Sequence, residues 1–270
     1  MSLRRQTDPV ISDREHDHIC QRKCVDTSLE SGLGSSHGNI SLSQVPSPPL
    51  KPLRPLRPLY FEVPQSSPPE FVGRQWVMEE ILQSTRHISL EGGPGSGKTA
   101  VILALVQSSC FAAEIGGGRA GEREVAEQVV AYHFCQADNA PTCQVAEFVH
   151  SLAAQLCQAP HLAPYHSYLE SQPALLSLLS PPQCAAQPAR ALLSAVLQPL
   201  ASLPPPPAPC LVLLDGLCEA EQHRPDHGHT VASFLLSQLH HFPPWLRLVL
   251  TSRTGSLPAL RSHSGLHCVR

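Results

Sequence analysis

Aromatic side chains are scarce in this 270-residue chain: Phe, Trp and Tyr together make 5% of it. Any core must therefore be aliphatic, and the 42% of hydrophobic residues supply one. Charge is thin too. Asp, Glu, Lys and Arg make 15%, against about a quarter in ordinary domains, and the formal net charge is −3. Without a strong basic field, nucleic acid is not an expected partner. Long apolar runs are missing as well. The nearest, 191–214, has no charged residue but is broken by Pro199, Pro204–Pro207 and Pro209. A spanning helix needs about 20 consecutive apolar residues, so this stretch reads as helix, proline linker and short strand, and no membrane span is expected. No apolar run follows Met1–Arg5, so no secretory leader is expected, and the ten cysteines read as reduced cytosolic thiols rather than a disulfide framework. The expected location is cytoplasmic.

Proline, by contrast, is abundant. Its 28 residues are about twice the average share, which points to much irregular structure. Residues 1–69 are rich in Ser, Pro and Gly, with Tyr60 and Phe61 as their only aromatics. Such a segment buries too little apolar area to offset its backbone entropy, so a disordered arm is expected. Within it, Pro49–Arg57 fits PxxPx[KR] twice, a candidate ligand for an SH3 domain, although a solvated linker is the simpler expectation. His16, His18, Cys20 and Cys24 cluster, but their spacing matches no common zinc finger.

From residue 70 to 270 the pattern changes to strands alternating with helices. The helix-like segments are 71–84, 98–110, 144–158, 188–200 and 230–240, and 114–122, with its glycine run, reads as a surface insertion. The strand-like segments are 87–90, 129–134, 210–214 and 246–251, with a fifth at 266–269. Strands apolar on both faces and spaced by helices indicate an α/β fold with a doubly wound parallel sheet of four to five strands. His133 and Cys135, at the second strand, read as core residues rather than a catalytic pair.

Gly92, Gly93, Pro94, Gly95, Ser96, Gly97, Lys98 and Thr99 fit GxxxxGK[ST], between a strand and a helix. The glycines let the backbone curl so that N–H groups face phosphate oxygens. Lys98 is expected to reach the β/γ-phosphates and Thr99 to offer a hydroxyl to Mg²⁺, while the helix N-terminus favours the anion. Asp215 ends the apolar strand 211–214, the expected Walker B, and is expected to hold Mg²⁺ through water. Gly216 follows where many related ATPases place a catalytic Glu, so Glu219 is the expected water-polarising acid and slow turnover is expected. Arg253, at the end of the fourth strand, is expected to sense the γ-phosphate, because ligands of doubly wound sheets bind at the carboxyl ends of strands. The cofactors so implied are ATP and Mg²⁺. No Asn/Thr-Lys-x-Asp guanine reader and no LSGGQ signature is present, and Lys98 is followed directly by Thr rather than by the Gly-Thr usual in adenylate-kinase-like enzymes.

Phe71-Val72-Gly73-Arg74 resembles the hydrophobic–Gly–Arg element of AAA+ and STAND ATPases, and Asp215-Gly216-Leu217 and Thr251-Ser252-Arg253 are similar to STAND proteins. The resemblance implies that Val72 and Gly73 line the base and ribose pocket. Cys218 departs from a position often acidic in that superfamily. The strings FEVP (61–64), 71–81, 129–143, 147–157, 213–221 and 242–253 together resemble the TANC scaffold proteins, over about residues 60–260. That likeness implies a cytosolic scaffold of the postsynaptic density, binding ATP/ADP and synaptic protein partners, whose ATPase-like module acts as a slow switch. The chain holds no ankyrin or tetratricopeptide repeat and no lid, so it reads as a fragment, a truncated isoform or an incomplete gene model. The alternative is a nucleotide-independent interaction platform with a vestigial P-loop.

Overall fold

A computed structural model describes residues 49–59, 73–112, 120–223 and 228–270. Val72, the His16/His18/Cys20/Cys24 group, the glycine run 116–118 and most of the arm 1–69 lie outside them.

Five strands form one all-parallel sheet: β1 His87–Gly92, β2 Val129–Phe134, β3 Cys210–Asp215, β4 Leu246–Arg253 and β5 Leu266–Val269. Their spatial order is β2-β3-β4-β1-β5. α1 Gln75–Gln83 precedes β1, and the crossovers carry α2 Lys98–Gln107 and α3 Ala120–Ala126 before β2 and α4 Val145–Gln158 after it. Then come α5 Ala163–Glu170, α6 Pro173–Leu178, α7 Pro181–Ala186 and α8 Pro188–Leu192, which runs through a π turn at Leu193–Leu197 into α9 Gln198–Ser202. Between β3 and β4 lie α10 Leu217–Ala220 and α11 Val231–Gln238, and α12 Pro258–Ser262 precedes β5.

Alternate residues of the strands feed two cores, as the two-residue period of a strand requires. Cys210, Val212 and Leu214 of β3 pack with α4, α5 and α11, whereas Leu211 and Leu213 pack with α1, α2 and α3. Both faces of the sheet are thus covered, which is why β3 is apolar at every position before Asp215. The stretch 191–214 divides as its prolines dictate: helix to Ser202, irregular chain over 203–209, strand from Cys210. Among the described residues no helix is long and apolar enough to cross a membrane.

β2 is an edge strand, and α4 closes part of that edge. Gln155 is buried there. Its Oε1 accepts from Tyr132 N at 2.9 Å and its Nε2 donates to Tyr132 O at 2.8 Å.

Two stretches differ from expectation. Residues 120–126, placed at the end of a surface insertion and beyond it, are helical. Val125 and Ala126 are buried, and Ser108 Oγ donates to Glu122 at 2.9 Å, tying α3 to the end of α2. Residues 49–59, expected within a disordered arm, pack along α4 in the opposite direction. Leu50 N donates to Gln158 O at 2.7 Å, Arg57 N to His150 Nε2 at 3.2 Å and Leu59 N to Ser151 Oγ at 2.8 Å. Leu53 and Leu56 enter the core. The packed unit therefore includes chain well before residue 70. Composition misleads here because two leucines spaced by a proline turn can dock on a helix without a strand or helix of their own.

Candidate functional site

The sheet order explains how the site assembles. From β1 the chain crosses to β2 on one side, and from β4 it crosses to β5 on the other, so β1 and β4 mark the point where strand order reverses. The glycine-rich loop leaves β1 at that point.

Gly92 ends β1 opposite Arg253 of β4. A Cβ on Gly92 would stand 2.4 Å from Ser96 Oγ, so a side chain there would displace the hydroxyl that accepts from Lys98. Gly95 and Gly97 have φ of +73° and +85°, and Gly97 is the N-cap of α2. Pro94 lies in the turn and Gly93 O accepts from Ser96 N at 3.3 Å. Lys98 folds back across the loop. Its Nζ donates to Gly92 O and Gly93 O, both at 2.9 Å, and to Ser96 Oγ at 3.1 Å.

Thr99 and Asp215, 116 residues apart, meet: Thr99 Oγ1 donates to Asp215 Oδ2 at 2.8 Å. The other carboxylate oxygen accepts from Thr251 Oγ1 at 2.6 Å, and Thr251 Oγ1 in turn accepts from Gly216 N at 3.0 Å. Asp215 is only 6% exposed. Burial raises its pKa. The Thr251 and Thr99 hydroxyls pull it back, the Glu219 charge raises it again, and the Lys98 charge lowers it.

Glu219 and Arg253 stand together at the rim, with Glu219 Oε1 3.9 Å from Arg253 Nη2. The second oxygen, Oε2, accepts from Ala137 N at 3.1 Å. Gly73, with φ +82°, lines a cavity of about 220 Å³ with Arg74, Met78, Leu82 and Glu122. Val72, its expected neighbour in that role, lies outside the described residues.

Sequence reasoning named no role for Thr251 or Arg74. Arg74 Nη2 donates to Ser96 O, so the residue after Gly73 holds the glycine-rich loop from outside. Its helix is fixed at the far end as well. Buried Arg247 of β4 donates through Nη1 to Ile81 O at 3.2 Å and to Ser84 O, taking carbonyls at the end of α1. A further support lies just before Gly92, where the buried Glu91 carboxylate accepts from Arg261 Nε at 2.7 Å. The signal for Thr251 was a hydroxyl closing a buried strand, but its value depends on β4 lying between β1 and β3, which chain order does not disclose.

His133 and Cys135 are both buried. His133 Nε2 donates to Thr142 O at 2.7 Å and its ring packs edge-on against Phe148. Burial lowers its pKa to about 4. This is a core histidine, as its place on an apolar strand implies.

The glycine-rich loop leads into the N-terminus of α2 with the Lys98 ammonium folded over it, and Thr99 and Asp215 bring a hydroxyl and a carboxylate together at the start of that helix. Such an arrangement suits an anion paired with a hard cation. The sequence profile of the nephrocystin 3, N-terminal family matches residues 72–253, a span that begins beside Gly73, ends on Arg253 and includes Lys98, Thr99, Asp215 and Glu219, and the chain belongs to that family.

Proposed function

We propose that the domain is a P-loop NTPase module of STAND type that binds ATP with Mg²⁺ and works as a slow nucleotide-dependent switch in a TANC-like scaffold of the cytoplasm and postsynaptic density. The observation that carries the reading is the 2.8 Å bond from Thr99 to Asp215, which joins the end of GxxxxGKT to the acid closing β3.

The residues fit the ligands. Gly92, Gly95 and Gly97 sit where a side chain would clash or strain the backbone, as a phosphate cradle requires. Hydroxyl and carboxylate oxygens are the donors Mg²⁺ prefers. Lys98 would turn from the loop carbonyls to the β/γ-phosphates, Thr99 and Asp215 would hold the metal, and Gly73 with Val72 would border the base and ribose. When bound, Mg²⁺ neutralises phosphate charge. Glu219 would orient water and Arg253 would meet the γ-phosphate, each giving up the ion pair they share. Gly216 and Cys218, at positions often acidic in such ATPases, argue for slow hydrolysis. The nucleotide would bias the scaffold between arrangements only by its differential affinity for them.

A second reading, a platform that needs no nucleotide, is favoured by one observation: Lys98 Nζ already has three acceptors in its own loop. Thermal unfolding with Mg²⁺ and ATP, ADP or GTP separates the two. A ligand at 100-fold its Kd stabilises by about 2.7 kcal/mol, a shift on the order of 5–10 °C in a domain of this size. Adenine nucleotides should give that shift and Lys98→Ala should abolish it. No shift in a cooperatively folded sample would favour the platform.

A further inference from the structure

Cys135 and Cys143 bracket the loop that joins β2 to α4, and hydrogen bonds tie the two ends of that loop together. Gln136 N donates to Thr142 Oγ1 at 2.8 Å, and Thr142 Oγ1 donates to Asn139 O at 2.7 Å. Gln136 and Asn139 bridge across the turn. Cys143 Sγ lies 3.3 Å from the carbonyl oxygen of Gln136, the residue that follows Cys135, and 3.7 Å from Thr142 Oγ1, which brings the two thiols together across the loop.

Their surroundings differ. Cys143 lines an open cavity of about 710 Å³ that Arg190 and His223 also line, and Cys135 does not. Cys135 is enclosed beneath the Asp215–Gly216 turn, where its N donates to Asp215 O at 2.9 Å. The neighbouring Cys135 thiol pulls the pKa of Cys143 down to about 6 against its burial, which raises it, with the Thr142 hydroxyl and the His223 charge adding to the lowering. Burial pushes Cys110, Cys157 and Cys210 up to about 12. Cys143, itself only 4% exposed, thus meets solvent through that cavity, with a second thiol beside it.

We propose that Cys143 is a site of oxidative modification, where a small hydroperoxide is reduced and a disulfide to Cys135 is formed. The Cys143 thiolate attacks the peroxide, the O–O bond breaks, one oxygen stays on sulfur as a sulfenic acid, and the other leaves and takes a proton as water or an alcohol. The Cys135 sulfur then attacks the Cys143 sulfur. The S–O bond breaks, and hydroxide leaves with the Cys135 proton as water. Two thiols are oxidised by two electrons in all and one peroxide is reduced. The bond forms in the loop whose Ala137 N holds Glu219, so its formation stiffens the rim of the site described above. The proposal does not depend on nucleotide binding.

The test treats the full, reduced chain with a few equivalents of hydrogen peroxide at pH 7, alkylates the remaining thiols, cleaves before Asp138 and weighs the products. That cut lies between the two cysteines, so a Cys135–Cys143 disulfide keeps the halves joined. The joined pair should be the first oxidation product, and dithiothreitol should release it. In Cys135→Ser, Cys143 should stop at a sulfenic acid trapped by dimedone, and Cys143→Ser should leave Cys135 reduced. Should either variant unfold, the iodoacetamide rate in the unaltered chain decides, with Cys143 labelled at least tenfold faster than Cys110 or Cys157. Earlier oxidation of Cys218 with Cys143 still reduced, or equal labelling rates, would overturn the proposal.

Discussion

A Cβ placed on Gly216 would stand 2.6 Å from the main-chain oxygen of Cys135. The two residues close the ends of adjacent strands, β3 and β2, and the approach is held by Cys135 N donating to Asp215 O at 2.9 Å. Gly216 also has φ +73° and is the N-cap of the short α10 that carries Glu219. A side chain at 216 is excluded by contact and by backbone conformation at once. The chain thereby turns sharply after Asp215 and brings Glu219 back over the Cys135 loop.

Gly216→Ala should therefore destabilise the domain by about 2 kcal/mol or more, since the left-handed conformation alone costs an alanine roughly 1–2 kcal/mol. Chemical denaturation would measure it. A loss below about 0.5 kcal/mol would mean that the Cys135 loop yields easily and does not fix Glu219.

The Pro49–Leu59 segment stabilises the fold through two leucines. Leu53 and Leu56 are both less than a tenth exposed, so Leu53→Ala and Leu56→Ala should each cost about 2–4 kcal/mol. Arg54→Ala and Arg57→Ala, exposed substitutions on the same segment, should cost under about 0.5 kcal/mol. Urea unfolding of the four variants distinguishes a docked segment from a solvated linker. An SH3 domain that took the segment would have to lift both leucines from α4, so adding one should destabilise the chain if it binds there.

Acid should weaken the domain through His133. Its pKa in the fold, about 4, is below the ordinary value of 6.5, so the unfolded chain binds the proton first. Stability is lost as pH falls from about 6.5 towards 4, by roughly 3 kcal/mol at the limit. His133→Gln should flatten that part of the stability–pH curve. Parallel curves for the two proteins would show that His133 is not the group responsible.

The Glu219–Arg253 pair separates stability from turnover. Arg253 is about half exposed and the charges are 3.9 Å apart, so breaking the pair with Arg253→Ala should change stability by no more than about 1 kcal/mol. Should the chain hydrolyse ATP as proposed, the same substitution should lower kcat at least tenfold, and Glu219→Gln should do likewise. Unchanged turnover in both variants would remove these residues from the reaction while leaving the nucleotide site standing.

Much of this architecture follows from local chemistry and was legible as such. Strands apolar at every position require a sheet covered on both faces, and β3 and β2 are buried from end to end. Three glycines, a lysine and a threonine at fixed spacing encode the loop between β1 and α2, because their requirements are met within eight residues. Proline was legible only in part. It marked the break after Ser202, but it also starts helices: α5 to α8 and α12 each carry at least one in the first turn, where no N–H is needed. A high proline count therefore disguised the helical region between β2 and β3.

The sequence by itself determined the elements, the loop and the acid that closes β3, since each is set by neighbours along the chain. Tertiary structure decided which of them meet. Only the insertion of β4 between β3 and β1 puts Thr251 on Asp215, and only the docking of α1 puts Arg74 on Ser96. Likewise Leu53 and Leu56 become core residues through a groove on α4 more than ninety residues away. Such contacts join segments remote in the chain, and no local pattern carries the free energy that selects them.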